Sequence, residues 1–152
     1  MKHSDLKKHL YNQCIEFIDR RLKTLQNTIS EIQESLLSET KSSVGDKHET
    51  GRAMLQLERE KAGQQLAEVQ RLQEILQQID NKTTSKRVAL GSLVHTNAQN
   101  YYIAISAGAL MVQNKTYYAI SPATPIANVM LGKQKGDAIT FRSSTFVITD
   151  VS

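Results

Sequence analysis

From Asp5 to about Ser38, apolar residues recur at steps of three and four: Leu6, Leu10, Cys14, Phe17/Ile18, Leu22, Leu25, Ile29, Ile32 and Leu36. Neither Pro nor Gly interrupts them. This spacing predicts a long helix with one apolar stripe, the pattern of a coiled-coil seam. Ser4 or Asp5 can cap its start, with the Asp5 carboxylate near the positive helix end. Beyond Ser38 the stripe stops, and residues 39–45 (Glu-Thr-Lys-Ser-Ser-Val-Gly) read as a turn. A second run, from Asp46 or Glu49 to Ile79, sets Leu55, Ala62, Val69 and Leu76 seven apart, with Leu66, Leu72 and Ile79 at the other seam positions. It fades in the polar segment 80–85. Two helices of about 30 residues would each run about 45 Å, and a short turn forces them antiparallel. Residues 1–80 are therefore expected to form a coiled-coil hairpin with a tip at about 39–50, and residues 81–85 a linker.

The period then changes. The segments 88–96, 101–105, 109–112 and 117–120 are short and rich in β-formers, separated by turn residues such as Asn97-Ala98-Gln99-Asn100. Ser121-Pro122 breaks the chain. Thr124 can cap a short helix with Pro125 at its first position, running through Ile126–Leu131 to a stop at Gly132. Segments 138–141 and 146–151 complete a terminal hairpin around Arg142–Thr145. The expectation for residues 86–152 is a small α+β domain with an antiparallel sheet and one short helix.

Charge is unevenly spread. Residues 1–80 hold 12 Lys/Arg against 13 Asp/Glu, whereas residues 81–152 hold 7 against 2. The basic second half suits a nucleic-acid or acidic-protein partner, or an ordinary solvated surface. Cys14, the single cysteine, cannot form an intramolecular disulfide and reads as a small seam residue. No apolar run approaches the roughly 20 residues of a membrane span, and no signal-peptide core is present, so a soluble cytoplasmic protein is expected. His3, His9, His48 and His95 show no metal-ligand spacing. A nucleotide-binding glycine loop and a nucleophile elbow are absent as well.

The candidate chemistry lies at the hairpin tip. Asp46 and Glu49 sit three positions apart between Gly45 and Gly51, flanked by Lys41, Lys47 and Arg52. An Asp followed three residues later by Glu also fits a capping box at the start of the second helix, and both readings stand at this point.

Two motifs give these features a family resemblance. Gly45-Asp46-Lys47-His48-Glu49 matches the first five positions of the tip motif of the bacterial Gre transcription elongation factors, Gly-Asp-x-x-Glu-Asn-Ala-Glu-Tyr. The run from Ser121-Pro122 through Met130-Leu131-Gly132-Lys133 to Gly136-Asp137 follows the motif of their C-terminal domain, and Gly91-Ser92-Leu93-Val94 resembles their Gly-(Ser/Ala)-x-Val. The chain departs at Thr50-Gly51-Arg52-Ala53, where that family has Asn-Ala-Glu-Tyr. The resemblance implies an FKBP-like C-terminal domain that binds RNA polymerase. It also implies a coiled coil inserted in the polymerase secondary channel, where Asp46 and Glu49 would help to hold a Mg²⁺ and stimulate the polymerase's cleavage of backtracked RNA. Such a protein is an accessory factor, not an enzyme, and binds no cofactor in isolation. Lys41, Lys47 and Arg52 become candidates for contact with the RNA 3′ end, or with DNA in the elongation complex. Pro122, Ile126, Met130, Lys133 and Lys135 become candidates for contact with polymerase. A monomer is expected. Prolyl isomerase activity is set aside, because it needs an aromatic-lined pocket and this domain reads as poor in aromatics. Two alternatives remain: a secondary-channel regulator that does not promote cleavage, and a coiled-coil adaptor unrelated to transcription.

Overall fold

A computed structural model describes residues 2–41 and 46–152, with side chains outside positions 40–49. The helical stripes produce two long helices, α1 (His3–Lys41) and α2 (Asp46–Gln77). Helix α1 thus continues through residues 39–41, where a turn was expected; the expected turn residues 42–45 lie outside the described residues. Nothing in Glu39-Thr40-Lys41 breaks a helix, because loss of the apolar stripe removes packing and not helix propensity. The helices run antiparallel: the Tyr11 hydroxyl donates to the Leu76 carbonyl at 3.1 Å, and a Cβ built on Gly51 would lie 3.6 Å from the Glu39 carboxyl.

The chain divides into two compact units. One is the middle of the hairpin, Ile18–Gln73. Its seam buries Ile18, Ile32, Ala62 and Val69, and half-buries Leu22, Leu25, Ile29, Leu36, Leu55, Leu66 and Leu72. Those are the positions that the three-and-four spacing selects.

The other unit joins the first turns of α1, through Phe17, to Glu74–Ser152. Its six strands are β1 (Leu93–Thr96), β2 (Asn100–Ile103), β3 (Gly108–Val112), β4 (Lys115–Ile120), β5 (Ala138–Phe141) and β6 (Ser144–Val151), with α3 (Pro125–Met130) between β4 and β5. They lie in the order β3-β4-β2-β1-β6-β5. Every pairing is antiparallel but one: β2 and β4 run parallel, Asn100 opposite Tyr117 through Ile103 opposite Ile120. The sheet is thus mostly antiparallel, as expected, with one parallel pairing added to that expectation. The β3–β4 hairpin turns on Gln113 and Asn114, both at positive φ, and the returning strand β4 slots between β3 and β2.

The segment 88–96 is also shorter as a strand than expected. Gly91, at φ +88°, bends the chain, and regular pairing starts at Leu93.

Both faces of the central strands are covered, which is why successive residues, Leu93-Val94 of β1 and Tyr101-Tyr102-Ile103 of β2, are buried. On one face Val94, Tyr101, Ile103, Phe146 and Ile148 form a core with Ala127 and Met130 of α3. Their neighbours Leu93 and Tyr102, both fully buried, alternate onto the other face. There Tyr102 donates to Asn81 Oδ1 at 3.3 Å, and burial, with Cys14 and Tyr11 nearby, pushes its phenol well above the usual range. The start of α1 belongs to this same layer. Leu6, Leu10 and Cys14 are buried, Gln13 Nε2 donates to the Met111 carbonyl on edge strand β3 at 3.0 Å, and Lys7 Nζ donates to the Thr83 carbonyl at 3.2 Å. Desolvation lowers the Lys7 pKa against the opposing pull of Asp80. Burial pushes the Cys14 thiol up to about 12, so it stays a protonated, inert seam residue. No helix among the described residues is long and apolar enough to cross a membrane.

Candidate functional site

Helix α2 starts at Asp46, which puts Asp46 and Glu49 in its first turn, three positions apart and therefore on one helical face. Carboxylates belong energetically at such a helix start, where the macrodipole is positive. Lys41 ends α1, and Lys47 stands in the same first turn as the acid pair. The side chains of Lys41, Asp46, Lys47 and Glu49 lie outside the described residues; Arg52, one turn on, is exposed. Gly51 continues the helix in its second turn, and ordinary van der Waals room exists there for a Cβ.

The second candidate surface surrounds α3. Thr124 caps this helix as expected: its Oγ1 accepts from the Ala127 N–H at 3.3 Å, Pro125 occupies the first turn, and Gly132 leaves the helix at φ +79°. These details reproduce the local geometry that the Thr-Pro…Gly pattern predicts. The side chains named for partner contact separate into two groups. Lys133 and Lys135 are exposed and Pro122 is half-buried. Met130 is fully buried, and half-buried Ile126 packs against the same core. Met130 is therefore a core residue of the β-domain with no surface to offer a partner; the apolar stripe of α3 faces the sheet, as an amphipathic helix requires.

The scan against protein-family models finds no match. The search of curated proteins likewise finds none. Among solved structures, the chain is similar to the transcription factor Gfh1, at 18% identity and a TM-score of 0.34 over 93% of this chain and 92% of that one.

Sequence reasoning missed several features. His3 and His95, separated by 92 positions, stack with ring centroids 6.0 Å apart, and the Tyr117 ring meets His95 edge-on at 5.9 Å. His3 Nε2 lies 3.7 Å from Asp150 Oδ2. The His95 pKa is lowered, first by burial and then by His3 and Lys115, against the pull of Asp150. Among the described residues no group of three metal-ligating side chains forms, and this cluster is an inter-element contact. No spacing signal could have announced it. Six of the eight aromatics in fact fall in residues 81–152. Tyr101 and Phe146 are buried in the core, with Tyr118 half-buried against it. The Tyr101 ring centroid lies 6.3 Å from that of Tyr118 and 6.4 Å from that of Phe146, within the range of aromatic pairing.

Proposed function

We propose that this chain is a Gre-like transcription factor that binds bacterial RNA polymerase through its β-domain and presents the α1–α2 tip in the secondary channel. There Asp46 and Glu49 assist the polymerase in cleaving backtracked RNA. One observation carries the reading: an acidic pair in the first turn of α2, on a long helical hairpin followed by a β-domain whose Thr124-capped, Gly132-terminated helix carries the second motif.

The chemistry suits the residues. Two carboxylates on one helical face supply two hard oxygen ligands, about as many as Mg²⁺ usually takes from protein. The ion, when shared with polymerase, would polarise a water and neutralise charge on the scissile phosphodiester. Two protein ligands are too few to hold it tightly, so this chain alone is no nuclease. Asp46 and Glu49 complete a site that the polymerase begins; Lys41, Lys47 and Arg52 offset the tip's own negative charge and meet RNA phosphates.

A second reading, a channel-binding regulator without cleavage, is favoured by Gly51, which stands inside α2 two residues past Glu49. Glycine there weakens the helix by about 1 kcal/mol relative to alanine and loosens the acid pair's support. Adding the protein to backtracked elongation complexes with Mg²⁺ separates the readings. Faster shortening of the RNA 3′ end supports the cleavage factor, and binding to polymerase with no change in shortening supports the regulator. Failure to bind polymerase rejects both.

A further inference from the structure

The structure brings together four cations that the sequence separates. An isolated antiparallel bridge pairs Arg87 with Gln134. Around it, the Val88 N–H donates to the Lys133 carbonyl and the Gly132 N–H to the Val88 carbonyl, both at 2.8 Å. Arg87 Nη1 donates to the Gly132 carbonyl at 2.9 Å, leaving the rest of its fork free to point outward. In this register Lys86 stands opposite Lys135 on one face, and the two line the same open cavity of about 260 Å³ with Gln134, Val151 and Asp150. Lys86, Arg87, Lys133 and Lys135 are all exposed. They are four of the seven Lys/Arg in residues 81–152.

Like charges placed directly opposite on paired strands are destabilising, and the two nearby carboxylates, Asp137 and Asp150, against four cations leave the patch net positive. Asp137 Oδ2 accepts the Gln134 N–H at 2.9 Å, and Asp150 lies 3.7 Å from His3 Nε2. Among the described residues, none of the four cations has a carboxylate within ion-pair distance. The segments 86–87 and 132–137 also carry no exposed large apolar side chain. Protein partners are gripped through desolvated aromatic and apolar anchors, whereas a phosphate backbone needs only spaced cations.

We propose that the Lys86–Arg87/Lys133–Lys135 strip is a sequence-independent binding site for the nucleic-acid phosphate backbone. It is independent of the tip and of any cleavage role. The test is fluorescence anisotropy of the full chain with a labelled single-stranded RNA and, separately, a labelled DNA duplex, between about 50 and 200 mM salt. Four phosphate contacts predict that affinity for the single strand falls about 50-fold over this range. In Lys86→Gln/Lys133→Gln/Lys135→Gln, which keeps the Arg87–Gly132 bond, the fall shrinks to about 3-fold. The exposed hairpin lysines serve as control, and Lys23→Gln/Lys61→Gln keeps the wild-type slope. The stronger of the two probes identifies RNA or duplex DNA as the source of the phosphates. A triple variant with unchanged slope and a native circular dichroism spectrum overturns the proposal, as does equal binding to a polyglutamate peptide of matched charge.

Discussion

His95 shows how one side chain registers its neighbours. Its Nδ1 is buried without a partner, its ring is stacked on His3, and the flanking charges Lys115 and Asp150 pull in opposite directions. The net effect is a folded-state pKa below the ordinary value of 6.5. Between that lowered value and 6.5 the unfolded chain binds more protons than the folded one, so stability rises with pH there and is lost on acidification. Thermal melts from pH 7.5 down to 5 should therefore show a fall in Tm that is shallower in His95→Phe, which keeps the ring contact with Tyr117 and cannot titrate. An equal fall in both proteins would assign the acid sensitivity elsewhere. None of this was legible beforehand, because His3 and His95 are distant in the chain and are joined by the fold alone. Met130 misleads in the same way: an apolar residue in a short helix looks equally suited to a partner or to a core, and burial decides for the core.

Helix α3 was legible because everything that defines it is local. Thr124, Pro125 and Gly132 each act within one turn of chain, and each takes the backbone role its chemistry favours. Thr124→Ala removes the acceptor for the Ala127 N–H and should destabilise by about 1 kcal/mol, lowering Tm by about 3 °C. Gly51→Ala should do the opposite. Position 51 is helical, and the added methyl finds ordinary contact at 3.6 Å from Glu39. The urea midpoint should rise by an amount equivalent to about 1 kcal/mol or somewhat less. A lower midpoint would mean that α2 does not hold a regular second turn. The β2–β4 pairing marks the limit of such reasoning. Strand propensity locates both segments, but their parallel register depends on where the β3–β4 hairpin folds back, which no periodicity encodes.

The hairpin and the β-domain look separable in the sequence, where a polar segment stands between a helical and a strand period. The compact unit that contains the sheet nevertheless includes the first turns of α1, held by Leu6, Leu10 and Cys14, by Lys7 at Thr83 and by Gln13 at Met111. Leu10→Ala should lower stability by about 2–5 kcal/mol, with amide exchange speeding up in β2 as well as in α1. Faster exchange confined to α1 would contradict a shared cooperative unit. The most direct test of the functional account compares RNA 3′-end cleavage in backtracked polymerase complexes, at saturating protein, between the wild-type chain and Asp46→Ala/Glu49→Ala. The account predicts that the variant folds, binds polymerase with unchanged affinity and leaves cleavage at the rate seen without any factor. Full stimulation by the bound double variant would contradict it.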